Sequence, residues 1–207
     1  WISEMGYDQT LRAFEASLRR LRVDYLDLYL IHMPFGNYYG AWKAMERLYA
    51  EKCVRAIGVC NFGADRLIDL CKNAEGIPAV KVECHPFTQQ KEILETLRSL
   101  HVQVEAWGPL AEGRNELFSH PLLSEIGRKY GKTVAQVVLR WHLQRGVVAI
   151  PKSVHKERMA ENFSIGDFYL DDEDMAVLSS LDTKRSLILD CHNPVEVERL
   201  YQITCNN

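Results

Sequence analysis

Apolar residues along this chain follow two rhythms in turn. Unbroken apolar runs rich in β-branched and aromatic residues, the pattern of strands buried on both faces, occur at five places, each ending in polar or aromatic punctuation. Residues 27–34 end in His32, Met33 and Pro34. Residues 54–59 lead into Cys60-Asn61-Phe62, and 79–83 into Cys84-His85-Pro86. Residues 102–107 lead into Gly108-Pro109, and 147–150 into Pro151-Lys152-Ser153. Between the runs, apolar positions recur at helical spacing and mark one face each. Leu11, Phe14, Leu18 and Leu21 form such a stripe behind a possible Asp8 cap. Further stripes are Trp42, Met45, Leu48 and Tyr49; then Leu67, Ile68 and Cys71; then Ile93, Leu94, Leu97 and Leu100. The wider gap before the last run holds two helices split at Gly131, one through Leu122, Leu123 and Ile126, the other through Val134, Val137, Val138 and Trp141. A helix through Met159 and Ala160 follows, then one with Met175, Leu178 and Leu181 that Asp171 can cap.

Strand then helix, repeated, predicts parallel strands with helices outside, an α/β layout. No G-x-G-x-x-G follows any run, which disfavours an open doubly wound sheet and favours a (β/α)₈ TIM barrel. Five full units are visible, about three short of the eight strands that a barrel needs. Trp1 and Ile2 read as the tail of a strand whose start lies before them. The expected organisation is one partial barrel domain over 1–207, with βα units to 185 and a loop and tail from 186 to 207.

Composition narrows the classes. At 47% hydrophobic and 26% charged, the chain of 207 residues can bury a core. A net charge of −3 provides no basic stripe for nucleic acid. No apolar run approaches the roughly 20 residues of a bilayer span, and a cytoplasmic location is expected. The six cysteines show neither C-x-x-C nor zinc-type spacing, so reduced thiols are expected rather than a metal knuckle or disulfide framework.

Four stretches together carry a resemblance. Residues 24–32 (ending Tyr29-Leu30-Ile31-His32), Gly58-Val59-Cys60-Asn61-Phe62, Glu83-Cys84-His85-Pro86 and Ile150-Pro151-Lys152-Ser153-Val154 resemble the successive signatures of the aldo-keto reductases. Residues 105–114 resemble the branch with bacterial 2,5-diketo-gluconate and methylglyoxal reductases. The resemblance implies a (β/α)₈ barrel that binds NADPH without a Rossmann unit and reduces aldehydes or ketones by hydride transfer. It implies that His32 orients the substrate carbonyl, that Asn61 grips the nicotinamide carboxamide beside Cys60, and that Trp107 stacks on the nicotinamide ring, with Leu110 also at the cofactor. Lys152, Ser153, Val154, Arg158, Glu161 and Asn162 match the adenosine-phosphate site. A lysine and an arginine flanking a strand-to-helix turn suit a 2′-phosphate on chemical grounds as well, which favours NADPH over NADH.

Two departures stand out. Lys81 falls where the family carries a glutamine for the carboxamide, and an inward Lys81–Glu83 pair would neutralise itself at a desolvation cost. The family's aspartate, tyrosine and lysine belong to the first three barrel units, so none maps onto this sequence; Tyr38 and Tyr39 have nothing beside them in sequence to lower a phenol pKa. The favoured expectation is the C-terminal part of an NADPH-dependent reductase acting on a small carbonyl compound. The alternative is a catalytically inactive truncated relative serving binding or regulation. A metal-dependent hydrolase built on His32, Glu83 and His85 is a third reading, and no metal ligand set is expected. Trp42, Phe35, Tyr38, Tyr39 and the tail around Leu187 are candidate pocket walls, and neither the substrate nor the oligomeric state is legible.

Overall fold

All five apolar runs form strands, and every helical stripe forms a helix. A computed structural model describes residues 1–74 and 79–205. Its elements, in order, are α1 (Tyr7–Leu21), β1 (Tyr29–Ile31), α2 (Tyr38–Ala50), β2 (Ile57–Cys60), α3 (Ala64–Asn73), β3 (Ala79–Glu83) and α4 (Lys91–Ser99). They continue as β4 (Gln103–Trp107), α5 (Pro121–Tyr130), α6 (Val134–Gln144), β5 (Val147–Ala149), α7 (Lys156–Phe163), α8 (Asp172–Ser180) and α9 (Pro194–Cys205). The described residues group into two compact units. One holds Trp1–Lys81, Glu95–Gln103 and the chain from Cys191 onward; the other holds Val82–Leu94 and Val104–Asp190.

In the first unit β1 pairs with β2 and β2 with β3, both parallel, with Ile31 opposite Val59 and Gly58 opposite Ala79. Every residue of β2 is buried, as a strand covered on both faces should be. Trp42, Met45 and Leu48 of α2 and Leu67 and Leu70 of α3 are buried, whereas Tyr49 and Ile68 of the same stripes face solvent. Three local expectations change here. Ile2–Glu4 is a 3-10 turn, closed by bonds from Glu4 N–H to the Trp1 carbonyl and from Met5 N–H to the Ile2 carbonyl, so this stretch is not the tail of a strand. Gly6, with φ +117°, occupies the position that caps α1, which leaves Asp8 inside the first turn. There its charge still favours the positive helix end. The stretch from 186 onward, expected as loop and tail, carries α9, whose Tyr201 ring meets Phe35 at 6.2 Å.

In the second unit β4 and β5 run parallel, with Val104 opposite Val147 and Ala106 opposite Ala149. Alternation along β4 buries Val104 and Ala106 and leaves Gln103, Glu105 and Trp107 on the other face. Gly131, with φ +63°, ends α5, a left-handed residue that closes a helix without a Cβ penalty. Thr133 and Gln136 then form a reciprocal capping box that starts α6. Helix α6 is buried along most of its length, with Trp141 and His142 almost fully enclosed. Asp171 caps α8, as expected, by accepting the Asp174 N–H at 2.9 Å. No described helix is long and apolar enough to cross a membrane.

Candidate active site

In the first unit, the candidate side chains stand at the C-terminal ends of the strands. Strand β1 stops at Ile31, so His32 is the first residue beyond the ladder and is exposed to solvent. Its ring meets Trp1 edge to face at 5.0 Å. Partial burial holds the imidazole pKa below its ordinary value, and the positive charge of Lys81 pushes the same way. Cys60 is the last residue of β2 and is buried. Asn61 follows in the left-handed region at φ +63°, a conformation that Asn tolerates better than most residues. Its N–H donates to the Lys81 carbonyl at 2.8 Å and its side-chain amide donates to the His32 carbonyl at 3.1 Å. One asparagine thereby ties the ends of three neighbouring strands.

The second unit holds the remaining candidates. Trp107 ends β4 half-buried, and Gly108 turns the chain away at φ +58°. A cavity of about 540 Å³ lies beyond it, lined by Leu110, Lys152, Ser153, Val154, Arg158, Glu161 and Asn162 together with Phe118, Thr133, Val134, Ala135 and His155. All seven residues that sequence reasoning assigned to the adenosine end and to Leu110 line one wall system. Trp107 is not part of this lining. Among the described residues neither the Lys152 nor the Arg158 side chain has a hydrogen bond or ion pair. Helix α7 starts at the same cavity, and its capping residue His155 makes no side-chain cap bond, so its first N–H groups are open to an anion. Glu161 is held in place by Thr133, whose hydroxyl donates to its carboxylate at 2.6 Å. Two unpaired cations, an open helix start and an apolar flank from Val154 and Phe118 suit a phosphorylated aromatic ligand.

Sequence reasoning missed Thr133, His155 and Phe118. For Thr133 a signal existed, because Thr followed three residues later by Gln predicts a helix start; that its hydroxyl would meet Glu161 was not readable. His155 and Phe118 carry no motif.

Position 83 requires a correction. The Glu83 carboxylate is bonded by His85 Nε2 at 3.0 Å, the Ser186 hydroxyl at 2.5 Å and the Leu187 and Leu189 N–H groups at 2.9 and 3.2 Å, rather than by Lys81. Burial pushes its pKa up, but these four partners outweigh burial and hold it below the usual carboxylate value. His85 is fully enclosed. Among the described residues no group of three or more His, Cys, Asp or Glu side chains could hold a metal ion. His142 is equally enclosed, with neither ring nitrogen hydrogen-bonded. Burial, then the Arg145 charge, push its pKa down to about 3; the nearby Pro109 carbonyl pulls the other way without the geometry of a full hydrogen bond.

Comparison with known proteins places this geometry. The aldo/keto reductase family profile matches residues 1–183. A glyoxal reductase of Bacillus subtilis is 48% identical over 183 residues, covering 87% of this chain and 66% of that protein. An aldo-keto reductase from a deep-sea metagenome superposes with a TM-score of 0.90 at 38% identity, over 93% of this chain and 72% of that one. An aldo-keto reductase of Bombyx mori, solved in complex with NADP, superposes at 0.85 with 30% identity over 91% of this chain and 67% of that one. These likenesses put the parallel strand-helix alternation in the (β/α)₈ barrel class. The chain spans 65% and 66% of the length of two curated Bacillus subtilis relatives that it matches.

Proposed function

Since the chain belongs to the aldo/keto reductase family, we propose that the protein carrying it reduces small aldehydes or ketones, dicarbonyls among them, to alcohols with NADPH. The observation that carries this reading is the cavity at the start of α7, where Lys152 and Arg158 stand unpaired beside open helix N–H groups. Cations left without partners at a concave site fit a ligand that brings its own negative charge. NADPH, when bound, supplies the hydride.

The chain's own residues take the remaining roles. Lys152 and Arg158 hold the 2′-phosphate, Ser153 and Val154 contribute backbone and surface at the same turn, and Glu161 and Asn162 meet the adenine. Leu110 adds an apolar contact. Trp107 offers a face for stacking, a contact of about 0.5–1.5 kcal/mol beyond its buried area. Asn61, fixed through its N–H and amide donors, presents its amide oxygen to the carboxamide, with Cys60 behind it. His32, kept neutral by its lowered pKa, donates a hydrogen bond to the substrate carbonyl and orients it. The resemblance gives the proton transfer to an aspartate, a tyrosine and a lysine, none of which maps onto residues 1–207.

A dicarbonyl substrate is supported by the 48% identical relative named as a glyoxal reductase. The free thiols of Cys53, Cys71 and Cys84 suit a reducing compartment, in keeping with the cytoplasm. The test is loss of NADPH absorbance when the full-length protein meets glyoxal or methylglyoxal. Turnover with NADPH supports the reading. A full-length protein that neither binds nor consumes NADPH with any small carbonyl compound overturns it.

A further inference from the structure

The loop after α8 is anchored from two directions inside the second unit. From the end of β3, Glu83 Oε1 accepts the Leu187 N–H at 2.9 Å, while Oε2 accepts the Ser186 hydroxyl at 2.5 Å and the Leu189 N–H at 3.2 Å. Ser186 Oγ also accepts the Leu189 N–H, at 3.0 Å. From the segment after β4, Arg114 donates to the Leu187 carbonyl at 2.6 Å. Ile188 sits between these anchors. A Cβ added at Gly108 would fall 2.9 Å from Ile188 Cδ1, so the side chain rests on the bare backbone of the residue that follows Trp107. Gly108 itself holds φ +58°, a turn geometry that depends on glycine and on what packs over it.

A carboxylate that is 3% exposed costs desolvation unless donors are aimed at it. An apolar residue would fill the position more cheaply if the strand end only needed packing. Three of the four groups bonded to Glu83 lie on one turn of one loop, which makes the carboxylate a nucleus for that turn's conformation. His85 Nε2 at 3.0 Å steadies the carboxylate from behind.

We propose that Glu83 is a positioning residue: it pins residues 186–189 so that Ile188 covers the Gly108 turn and holds Trp107 in the orientation used for stacking. The last step rests on the functional reading above; the pinning itself does not.

The experiment uses two measurements on the same variants, Glu83→Gln and Ser186→Ala, with Ser186→Thr as the conservative control. Ser186 is only half-buried, so its variants keep the test open even if Glu83→Gln fails to fold. Amide hydrogen exchange at Leu187 and Leu189 is expected to quicken about 5- to 10-fold in the first two variants and to stay near wild type in the third. The NADPH dissociation constant, followed by quenching of tryptophan fluorescence, is expected to rise about 3- to 10-fold in the same two variants, with Ser186→Thr restoring it. Unchanged exchange overturns the pinning. Faster exchange with an unchanged dissociation constant reduces Glu83 to a structural group and overturns the positioning role. If wild type itself does not bind NADPH, the functional reading falls and the positioning role with it, while the exchange data still report whether Glu83 holds the loop.

Discussion

Position 58 shows how little room a parallel ladder leaves. Gly58 lies between Leu30 and Ala79, and a Cβ there would overlap the Ala79 carbonyl and approach the Leu30 side chain at 2.8 Å. Gly58→Ala is expected to destabilise the fold by about 1–3 kcal/mol through overpacking, read as a lower denaturation midpoint with an unchanged slope. At the cavity, the relevant quantity is an unspent charge. Lys152→Ala and Arg158→Ala each remove a cation that has no partner among the described residues, so stability should barely move. NADPH affinity should fall about 10- to 100-fold, the size of a charge-assisted hydrogen bond, while NADH affinity stays near wild type. Titration of both nucleotides against wild type and variants checks the difference. The cavity residues were legible in sequence because 152–162 is a short strand-to-helix passage whose neighbours in sequence remain neighbours in space. Lys81 and Glu83 share a strand face and were read as a pair for the same local reason. That reading failed because Ser186, Leu187 and Leu189, 103 to 106 residues away, reach the carboxylate.

At the scale of elements, the best-determined start is that of α8. Asp171 accepts the Asp174 N–H, and Asp174 reaches back to the Asp171 N–H at 3.3 Å. The box is also a joint to α5: the Tyr130 hydroxyl donates to Asp174 Oδ2 at 2.5 Å, and Lys129 bridges Asp171 and Asp174 at 2.5 and 3.0 Å. Asp171→Ala should cost the N-cap bond and little more, because its exposed ion pair adds little. Asp174→Ala should cost more, about 2–3 kcal/mol, because it strips a buried acceptor from both Tyr130 and Lys129. Urea denaturation of the two variants would rank them, and a reversed order would mean that the cap rather than the joint carries the load. The cap was visible in sequence as Asp three residues before Asp; the joint was not, since nothing local pairs α8 with Tyr130. Helix α9 went unread for a related reason: its apolar residues make no regular stripe.

At the scale of the whole molecule, His142 is an acid-sensitive weakness. His142 has its pKa near 3 when folded against 6.5 as the ordinary value. The unfolded chain therefore takes up a proton as pH drops below about 6.5, and the folded chain does not do so until about pH 3. Stability attributable to this residue is intact above that window and is lost on acidification through it, by up to about 1.4 kcal/mol for each pH unit. His142→Leu removes this loss: the unfolding free energy of the variant relative to wild type, compared from pH 7 to pH 4, should rise as pH falls. A constant offset at all pH values would mean that His142 protonates without unfolding the chain.

Seen at this scale, the sequence by itself determined the order and type of nearly every strand and helix. It also determined which residues stand at the strand ends, because the strand and helix periods and the cost of exposing apolar surface act within a few residues. The tertiary structure decided what the buried polar groups do. Glu83 bonds to a distant loop, Thr133 holds Glu161, Arg114 reaches the Leu187 carbonyl, and His142 is shut in without a partner. Each of these depends on where the chain returns after tens of residues, and a polar side chain has no periodicity to announce the partner it will meet there.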